Sequence, residues 1–267
     1  MNKITSLQFL YKHPIWNILF DYQDIKNFYV CGGYIRDYIL YGNGGKDIDV
    51  FINCTIEELN ILITYLEKYG RVVYGQYGSP RFYPNAIDGH YVDIVPFYNF
   101  IVSPKPILTI DDLLKNFDFT ANAIGINIKT GTIYDPVHGI TDINNRVLRA
   151  VRLDFPERPV SSDIPLSAVS VFWFRLLHFQ NKLGFEFEKQ TKEWIIENAH
   201  RIKDIEIFKK YFFTPQISKE LKYKQMFTSI NAVLKQLNAE GWNDITLEYI
   251  NKGVMTDTYK MHTKTNR

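Results

Sequence analysis

The chain has 267 residues, of which 46% are hydrophobic, 15% aromatic and 22% charged, and its formal net charge is +2. This length and composition exclude a long disordered chain and predict a catalytic domain followed by a smaller appendage. Two cysteines, Cys31 and Cys54, without a CxxC pair, and the lack of any apolar run near the roughly 20 residues of a membrane span predict a cytoplasmic protein.

Predicted helices and strands alternate through the first half of the chain. The apolar run at 28–31 stops at a glycine pair, and 55–69 has an N-cap threonine, two early glutamates and a glycine just past its end. The predicted order is helix 6–22, interrupted near Pro14; strand 28–31; helix 34–41; strand 46–52; helix 55–69; and strands 71–76 and 91–96.

The second half changes character near residue 155. A strand at 124–128 returns through a hairpin turn at 129–132 into a strand at 133–134. Strand patterns then stop, prolines mark a connector, and 166–242 shows helical periodicity. We therefore predict an α+β fold: a head domain at 1–155 with a mixed sheet and flanking helices, then an all-helical neck and a short, reduced helical body at 156–267.

Charge is distributed unevenly along the chain. Residues 201–267 carry a net charge of +5, whereas residues 1–200 carry −3. A basic segment next to a mildly acidic domain favours binding to a polyanion such as RNA, because lysines that neutralise phosphates release counterions. A solvated helical surface is the other interpretation of the same charges.

Acidic residues follow an alternating pattern in the predicted strand 46–52. Asp47 and Asp49 alternate with Ile48 and Val50, so both carboxylates project from one face. Asp93, in the predicted strand 91–96, is a candidate third carboxylate. Mg²⁺ prefers such oxygen ligands, and two ions can activate an attacking hydroxyl and stabilise a leaving oxygen. A surface strand with alternating acids is the alternative interpretation.

A glycine pair precedes these carboxylates. Gly32 and Gly33 lie between a predicted strand and a predicted helix, where backbone amides at a helix N-terminus can bind an anion. Arg36 could reach the same anion, and Asp37 could orient it. The order of glycine pair, Arg-Asp and Asp-x-Asp is more specific than any one of the three parts.

Three stretches together resemble a known family. GGYIRD at 32–37 with KDID at 46–49 resembles the head-domain signature of the class II tRNA nucleotidyltransferases (CCA-adding enzymes) and bacterial poly(A) polymerases. DFTANA at 118–123 is similar to their RRDFTxNA motif, and DPVHG at 135–139 with Asp142-Ile143 is similar to DPxGGxxDL. Residues 179–185 with Thr191 resemble the helical neck more weakly.

The resemblance implies a nucleotidyltransferase-fold head that uses a nucleoside triphosphate and two Mg²⁺ ions. Asp47 and Asp49 would bind the metal ions, with Asp93 as the further catalytic carboxylate. The 3′-hydroxyl of an RNA, in the first place tRNA, would attack the α-phosphate, and pyrophosphate would leave. The implied substrate-binding residues are Gly32, Gly33, Arg36, Asp37, Lys46, Asp118, Asn122, Arg149 and Arg175.

Two departures from the family pattern bear on specificity. Asn116 and Phe117 replace the two arginines of RRDFT, for which Lys115 and Arg149 compensate in part. The EDxxR element of the neck, which reads the base, is replaced by AVSVF at 168–172, and Asp163 could supply its aspartate only if residues were inserted. Loss of polar base recognition predicts weak base discrimination. Transfer to a non-tRNA acceptor and a catalytically silent RNA-binding relative are therefore the alternatives.

Overall fold

A computed structural model of the chain describes residues 14–44, 47–75, 78–85, 91–100, 105–161, 164–212, 230 and 232–236. These residues form two compact units. The first unit contains the described residues up to Asn145 together with Arg149–Arg152. The second unit contains Arg146–Leu148 and the described residues from Leu153 onwards.

The first unit is built on a seven-stranded mixed sheet. In spatial order its strands are β3, β4, β5, β2, β1, β6 and β7, and only β2 and β5 among these neighbours run parallel. Their bounds are β1 Phe28–Cys31, β2 Asp47–Ile52, β3 Gly70–Tyr74, β4 Pro80–Pro84, β5 Tyr91–Pro96, β6 Gly125–Asn127 and β7 Ile133–Tyr134.

Five α-helices accompany this sheet within the described residues: α1 Pro14–Asp21, α2 Gly33–Tyr41, α3 Ile56–Leu66, α4 Ile110–Leu114 and α5 Gly139–Asn145. The face of the sheet that carries Cys31 and Phe51 packs against Leu113 and Leu114 of α4 in one buried apolar cluster. Thr55 caps α3 by a reciprocal capping box with Glu58, so local sequence determines where this helix begins.

The second unit consists mainly of helices. Its elements are β8 Val147–Leu148, β9 Pro159–Ser161, β10 Ile164–Ser167, α6 Ala168–Leu183, β11 Glu186–Phe187, α7 Lys189–Glu197, a 3₁₀ helix at Ala199–Asp204 and α8 Ile205–Phe212. Trp173 and Phe174 of α6 are fully buried, and Phe174 stacks on Phe208 of α8 with ring centroids 4.6 Å apart. None of the helices described in either unit is long and apolar enough to cross a membrane.

The predicted class, a mixed sheet with flanking helices followed by a helical region, is confirmed. The structure adds strands that the sequence did not predict: β4 in the head, the short antiparallel pair of β9 and β10 at the proline-marked connector, and the short parallel pair of β8 and β11. Since β11 lies within the stretch predicted to be helical, the prediction of an all-helical neck is wrong at this point. Pro80, Pro84 and Pro159 are the reason that β4 and β9 were not predicted, because proline is typical of loops and turns and indicates against a strand. Each of these prolines lies at the first or last position of its strand, where the lost amide donor is tolerated.

Candidate active site

Two aspartates of β2 project from one face of the sheet. Asp47 and Asp49 alternate with Ile48 and Val50, which are fully buried on the opposite face. Asp47 is exposed, and Asp49 is half-buried. The pleat of the strand therefore holds both carboxylates on the same side, with solvent access greatest at the first of them.

A third carboxylate lies on the adjacent strand. β5 runs parallel to β2, and Asp93 is in register with Asp49, as Tyr91 is with Asp47. Because side chains in register on neighbouring strands project from the same face, Asp93 belongs to the same surface as the two aspartates of β2. Tertiary pairing of β2 with β5 brings this residue to the site from 44 positions further along the chain.

Arg81, on β4, binds Asp93 through both carboxylate oxygens. Its Nε donates to Oδ1 at 2.6 Å, and its Nη2 donates to Oδ2 at 2.8 Å. The guanidinium lies 4.1 Å from the centre of the Tyr91 ring, and the hydrogen bonds with Asp93 raise the pKa of Arg81. Sequence reasoning missed Arg81 because β4 was not predicted, although the alternation of Arg81 and Tyr83 with the buried Phe82 is a strand pattern.

Tyr91 connects this pair to β2. Burial, together with a hydrogen bond to Asp47, raises the pKa of the Tyr91 hydroxyl. The hydroxyl therefore stays protonated at neutral pH and donates to the Asp47 carboxylate. Tyr91 was also absent from the candidates drawn from the sequence, since a tyrosine opening a strand gives no local indication of such a contact.

The glycine turn lies directly beside Asp49. Gly32 has a φ of 80°, in the region that favours glycine, and it precedes the first residue of α2. A Cβ atom on Gly32 would lie 3.5 Å from Oδ2 of Asp49. Any side chain here would be strained and would occupy the space next to the carboxylate. The turn is thus open to a ligand on the side of the metal-binding candidates.

Arg36 is buried, with 2% of its surface exposed. Its Nε donates to Oδ1 of Asp37 at 2.7 Å, and its Nη1 donates to Oδ1 of Asn122 at 2.6 Å. Asn122 in turn donates to Oδ1 of Asp118 at 3.2 Å. Residues from GGYIRD and from DFTANA therefore form one continuous hydrogen-bonded network, which fixes the two segments relative to each other.

Arg149 lies in a second network of the head. It donates to Oδ2 of Asp142 from Nε at 2.9 Å and to the carbonyl oxygen of Val137 from Nη2 at 2.8 Å. Asp142 is 8% exposed and also accepts a 2.6 Å hydrogen bond from Thr120. Asp142, which accepts hydrogen bonds from both Arg149 and Thr120, thereby links the region that follows DPVHG to the DFTANA segment.

Gly139, the last residue of the DPVHG segment, lies very close to the backbone of Thr120. A Cβ atom there would lie 2.0 Å from the carbonyl oxygen of Thr120, so only glycine fits this close approach. Asp135 accepts hydrogen bonds from the amides of Gly139 and Ile140, which begin α5. These contacts are structural, and they align the backbone that carries Asn122.

Three sequence candidates are not placed at this site. Lys46 and Asp163 lie outside the described residues. Arg175 lies on α6 in the second unit, with its guanidinium 5.3 Å from the centre of the Phe179 ring. For these residues, as for all the other candidates, a substrate contact stays a prediction.

The donor set of the site suits a hard divalent cation. Mg²⁺ takes oxygen ligands and is commonly held by one or two carboxylates together with substrate phosphates. Asp47 and Asp49 meet that requirement. Within the part of the chain that the structure describes, no group of three His, Cys, Asp or Glu side chains is placed to hold a metal ion, which agrees with the engagement of Asp93 by Arg81.

Comparison with known proteins shows what the chain is similar to. Residues 88–149 match the Poly A polymerase head domain. Over 176 residues the chain is 31% identical to the CCA-adding enzyme of Actinobacillus succinogenes, a match that covers 62% of this chain and 39% of the relative. The resemblance to the class II tRNA nucleotidyltransferases and bacterial poly(A) polymerase head domains, predicted from the sequence, is confirmed.

Two further similarities support this family. The CC-adding tRNA nucleotidyltransferase of Halalkalibacterium halodurans is 30% identical over 179 residues, which are 67% of this chain and 41% of the relative. A solved structure described as a tRNA-processing enzyme in its apo form I has the same fold, with a TM-score of 0.55 at 19% identity over 84% of this chain and 53% of that one. The chain spans about two fifths of the length of these curated relatives.

Proposed function

We propose that this protein is a Mg²⁺-dependent nucleotidyltransferase that transfers a nucleoside monophosphate from a nucleoside triphosphate to the 3′-hydroxyl of an RNA, with tRNA as the first candidate. The observation that carries the proposal is the position of the Gly32 turn, where a Cβ atom would lie 3.5 Å from Oδ2 of Asp49, in a chain whose residues 88–149 match the Poly A polymerase head domain. The relatives named above are a CCA-adding enzyme and a CC-adding tRNA nucleotidyltransferase.

The proposed roles follow from position. Asp47 and Asp49 hold the cation, which when bound lowers the barrier by activating the attacking hydroxyl and stabilising the leaving oxygen. The Gly32 turn leaves room for phosphate oxygens beside them. Arg36, Asn122 and Asp118 hold the two motif segments together through their hydrogen bonds, and they would border the site that receives the nucleotide.

Extension of defined tRNAs tests the proposal. The full chain is incubated with Mg²⁺ and each of the four labelled nucleoside triphosphates, using transcripts that end before CCA, after C and after CC, and products are resolved on a sequencing gel. We expect Mg²⁺-dependent extension by one or more nucleotides. Asp47→Asn and Asp49→Asn, which keep the side-chain shape but remove the charge, should reduce extension to background.

Asp111→Asn is the matched control, because Asp111 is an exposed carboxylate in the first turn of α4 and is not one of the proposed cation ligands. It should extend RNA at the rate of the unmodified chain. The proposal is wrong if no triphosphate is incorporated into any transcript, or if both β2 variants incorporate as well as Asp111→Asn does.

A second candidate is nucleotidyl transfer to an acceptor other than tRNA. It is favoured by α6, where Val169, Ser170 and Phe172 are buried at the positions in which the family reads the base. A base site without polar recognition loses selectivity steeply. Labelling of total RNA and protein with each α-labelled triphosphate distinguishes the two candidates, since label confined to tRNA excludes the second.

A further inference from the structure

Arg81 supplies a permanent positive charge beside the candidate metal site. It contacts both oxygens of Asp93 at 2.6 and 2.8 Å, with the arginine side chain 33% exposed and the aspartate side chain 21% exposed. Guanidinium stays protonated at any relevant pH, and a bidentate pair of this kind is among the stronger hydrogen-bonded ion pairs.

The register of three strands determines where this charge lies. Arg81 of β4 is paired with Asp93 of β5, and Asp93 is paired with Asp49 of β2. All three side chains therefore project from one face of the sheet. The Tyr91 ring, 4.1 Å from the guanidinium, holds Arg81 over β5.

This arrangement affects what Asp93 can bind. Carboxylates on adjacent strands repel each other, and Arg81 neutralises one of them without a metal ion. For Asp93 to become a metal ligand, its bidentate pair would have to open, and the freed guanidinium would then face the incoming cation. Asp93 therefore cannot keep its bidentate pair with Arg81 and at the same time coordinate a metal ion through both oxygens.

We propose that Arg81 is a positioning residue that withholds Asp93 from the divalent cation, so that Asp47 and Asp49 alone supply the protein's carboxylate ligands. The proposal rests on the proposed function insofar as β2 binds a cation. Arg81 serves as a counter-charge built into the protein, and it determines both the affinity for the cation and the number of carboxylates that bind it.

Titration with Mn²⁺, followed by electron paramagnetic resonance on the full chain without RNA or nucleotide, tests this directly. Arg81→Gln removes the pair, and we expect it to bind Mn²⁺ roughly tenfold more tightly, since a positive charge is lost and Asp93 is released. The double variant Arg81→Gln/Asp93→Asn should lose that gain. Arg81→Lys keeps the positive charge but cannot form the bidentate pair with Asp93. Its affinity for Mn²⁺ should therefore lie between those of the unmodified chain and Arg81→Gln.

Arg71→Gln is the matched control. Arg71 lies on β3, with its guanidinium 5.0 Å from the centre of the Tyr83 ring, and its removal changes the net charge equally. Because it is further from β2 and exposed, its effect on Mn²⁺ affinity should stay within about twofold. Thermal unfolding of each variant establishes that it is folded. If Arg81→Gln does not fold, the Mn²⁺ affinity of Arg81→Lys is compared with that of the unmodified chain instead.

Two results would overturn the proposal. The charge-balanced double variant Arg81→Gln/Asp93→Asn could bind Mn²⁺ as weakly as Asp49→Asn does, which would make Asp93 a ligand in the unmodified chain. Alternatively, removal of Arg81 could leave the affinity unchanged or lower it. Failure of the proposed function gives a different pattern: the Mn²⁺ affinities follow the order given above, but no RNA is extended. Absence of Mn²⁺ binding in every variant overturns both.

Discussion

Arg36 donates a 2.6 Å hydrogen bond from Nη1 to Oδ1 of Asn122, 86 residues further along the chain. Both side chains are buried, and Arg36 is bound by Asp37 on its other side. The contact joins the strand–turn–helix segment to the DFTANA segment. Both residues therefore stabilise the architecture of the site, in addition to the substrate contacts that the family resemblance predicts for them.

Asn122→Ala should lower the stability of the head substantially. The substitution removes the partner of a buried guanidinium and of Asp118, and an unsatisfied buried charged donor costs about 2–4 kcal/mol. Urea unfolding followed by tryptophan fluorescence measures the loss. Asn60→Ala is the control, since Asn60 is exposed on α3. Equal stabilities of the two variants would show that the Arg36–Asn122 contact contributes nothing.

Gly139→Ala should destabilise the head by about 1–3 kcal/mol, as overpacking does in a close-packed interior. The added methyl group would lie 2.0 Å from the carbonyl oxygen of Thr120, so the backbone of one segment must move. Gly75→Ala is the comparison, because a Cβ atom there meets only the Ser79 carbonyl oxygen at an ordinary 3.5 Å. Differential scanning calorimetry should show a lower Tm for Gly139→Ala alone.

Arg149→Gln separates two roles for this residue. If its bonds to Asp142 and Val137 stabilise the head, the variant should lose about 1–2 kcal/mol, because the buried Asp142 carboxylate is left with Thr120 as a remaining partner. Arg149→Lys should recover only part of this lost stability, since an ammonium group cannot replace the several hydrogen-bond donors of a guanidinium. Unchanged chemical denaturation with a raised KM for the triphosphate would instead support a role in substrate binding alone.

Glu157→Gln should show a pH-dependent stability difference in the second unit. Hydrogen bonds from the buried Arg201 lower the pKa of Glu157. A carboxylate with a depressed pKa stabilises the folded state above its unfolded pKa of about 4.3, and this contribution is lost as the pH falls. The Glu157 side chain is 70% exposed, so the difference at pH 7 should be at most about 1 kcal/mol.

Denaturation at pH 7 and pH 3 measures that difference. The free energy of unfolding of Glu157→Gln should be lower than that of the unmodified chain at pH 7, and this deficit should be smaller at pH 3, because Glu157 is progressively protonated as the pH falls through its lowered pKa. Glu197→Gln, at an exposed position on α7, should match the unmodified chain at both values. A deficit of the same size at pH 3 would exclude the ion pair as its source.

The sequence by itself determined the local features of the site. The alternation of Asp47 and Asp49 with buried apolar residues, the glycine pair between strand and helix, and the Thr55 cap are each set by residues within a few positions of one another. Backbone geometry and hydrophobic pattern act over that range. Hence β1, β2, the glycine turn and the start of α3 were predictable, and so was the family resemblance.

Only the tertiary structure decided which side chains meet across the sheet. The contacts of Arg81 with Asp93 and of Arg36 with Asn122 depend on strand register and on the packing of segments far apart in the chain. Sequence periodicity predicts on which face of a strand a residue lies, but not which residue it contacts. In addition, β4 was not predicted because a proline lies at each of its ends. The third carboxylate was therefore recognised from the sequence, whereas its engagement by an arginine became visible only when β4 paired with β5.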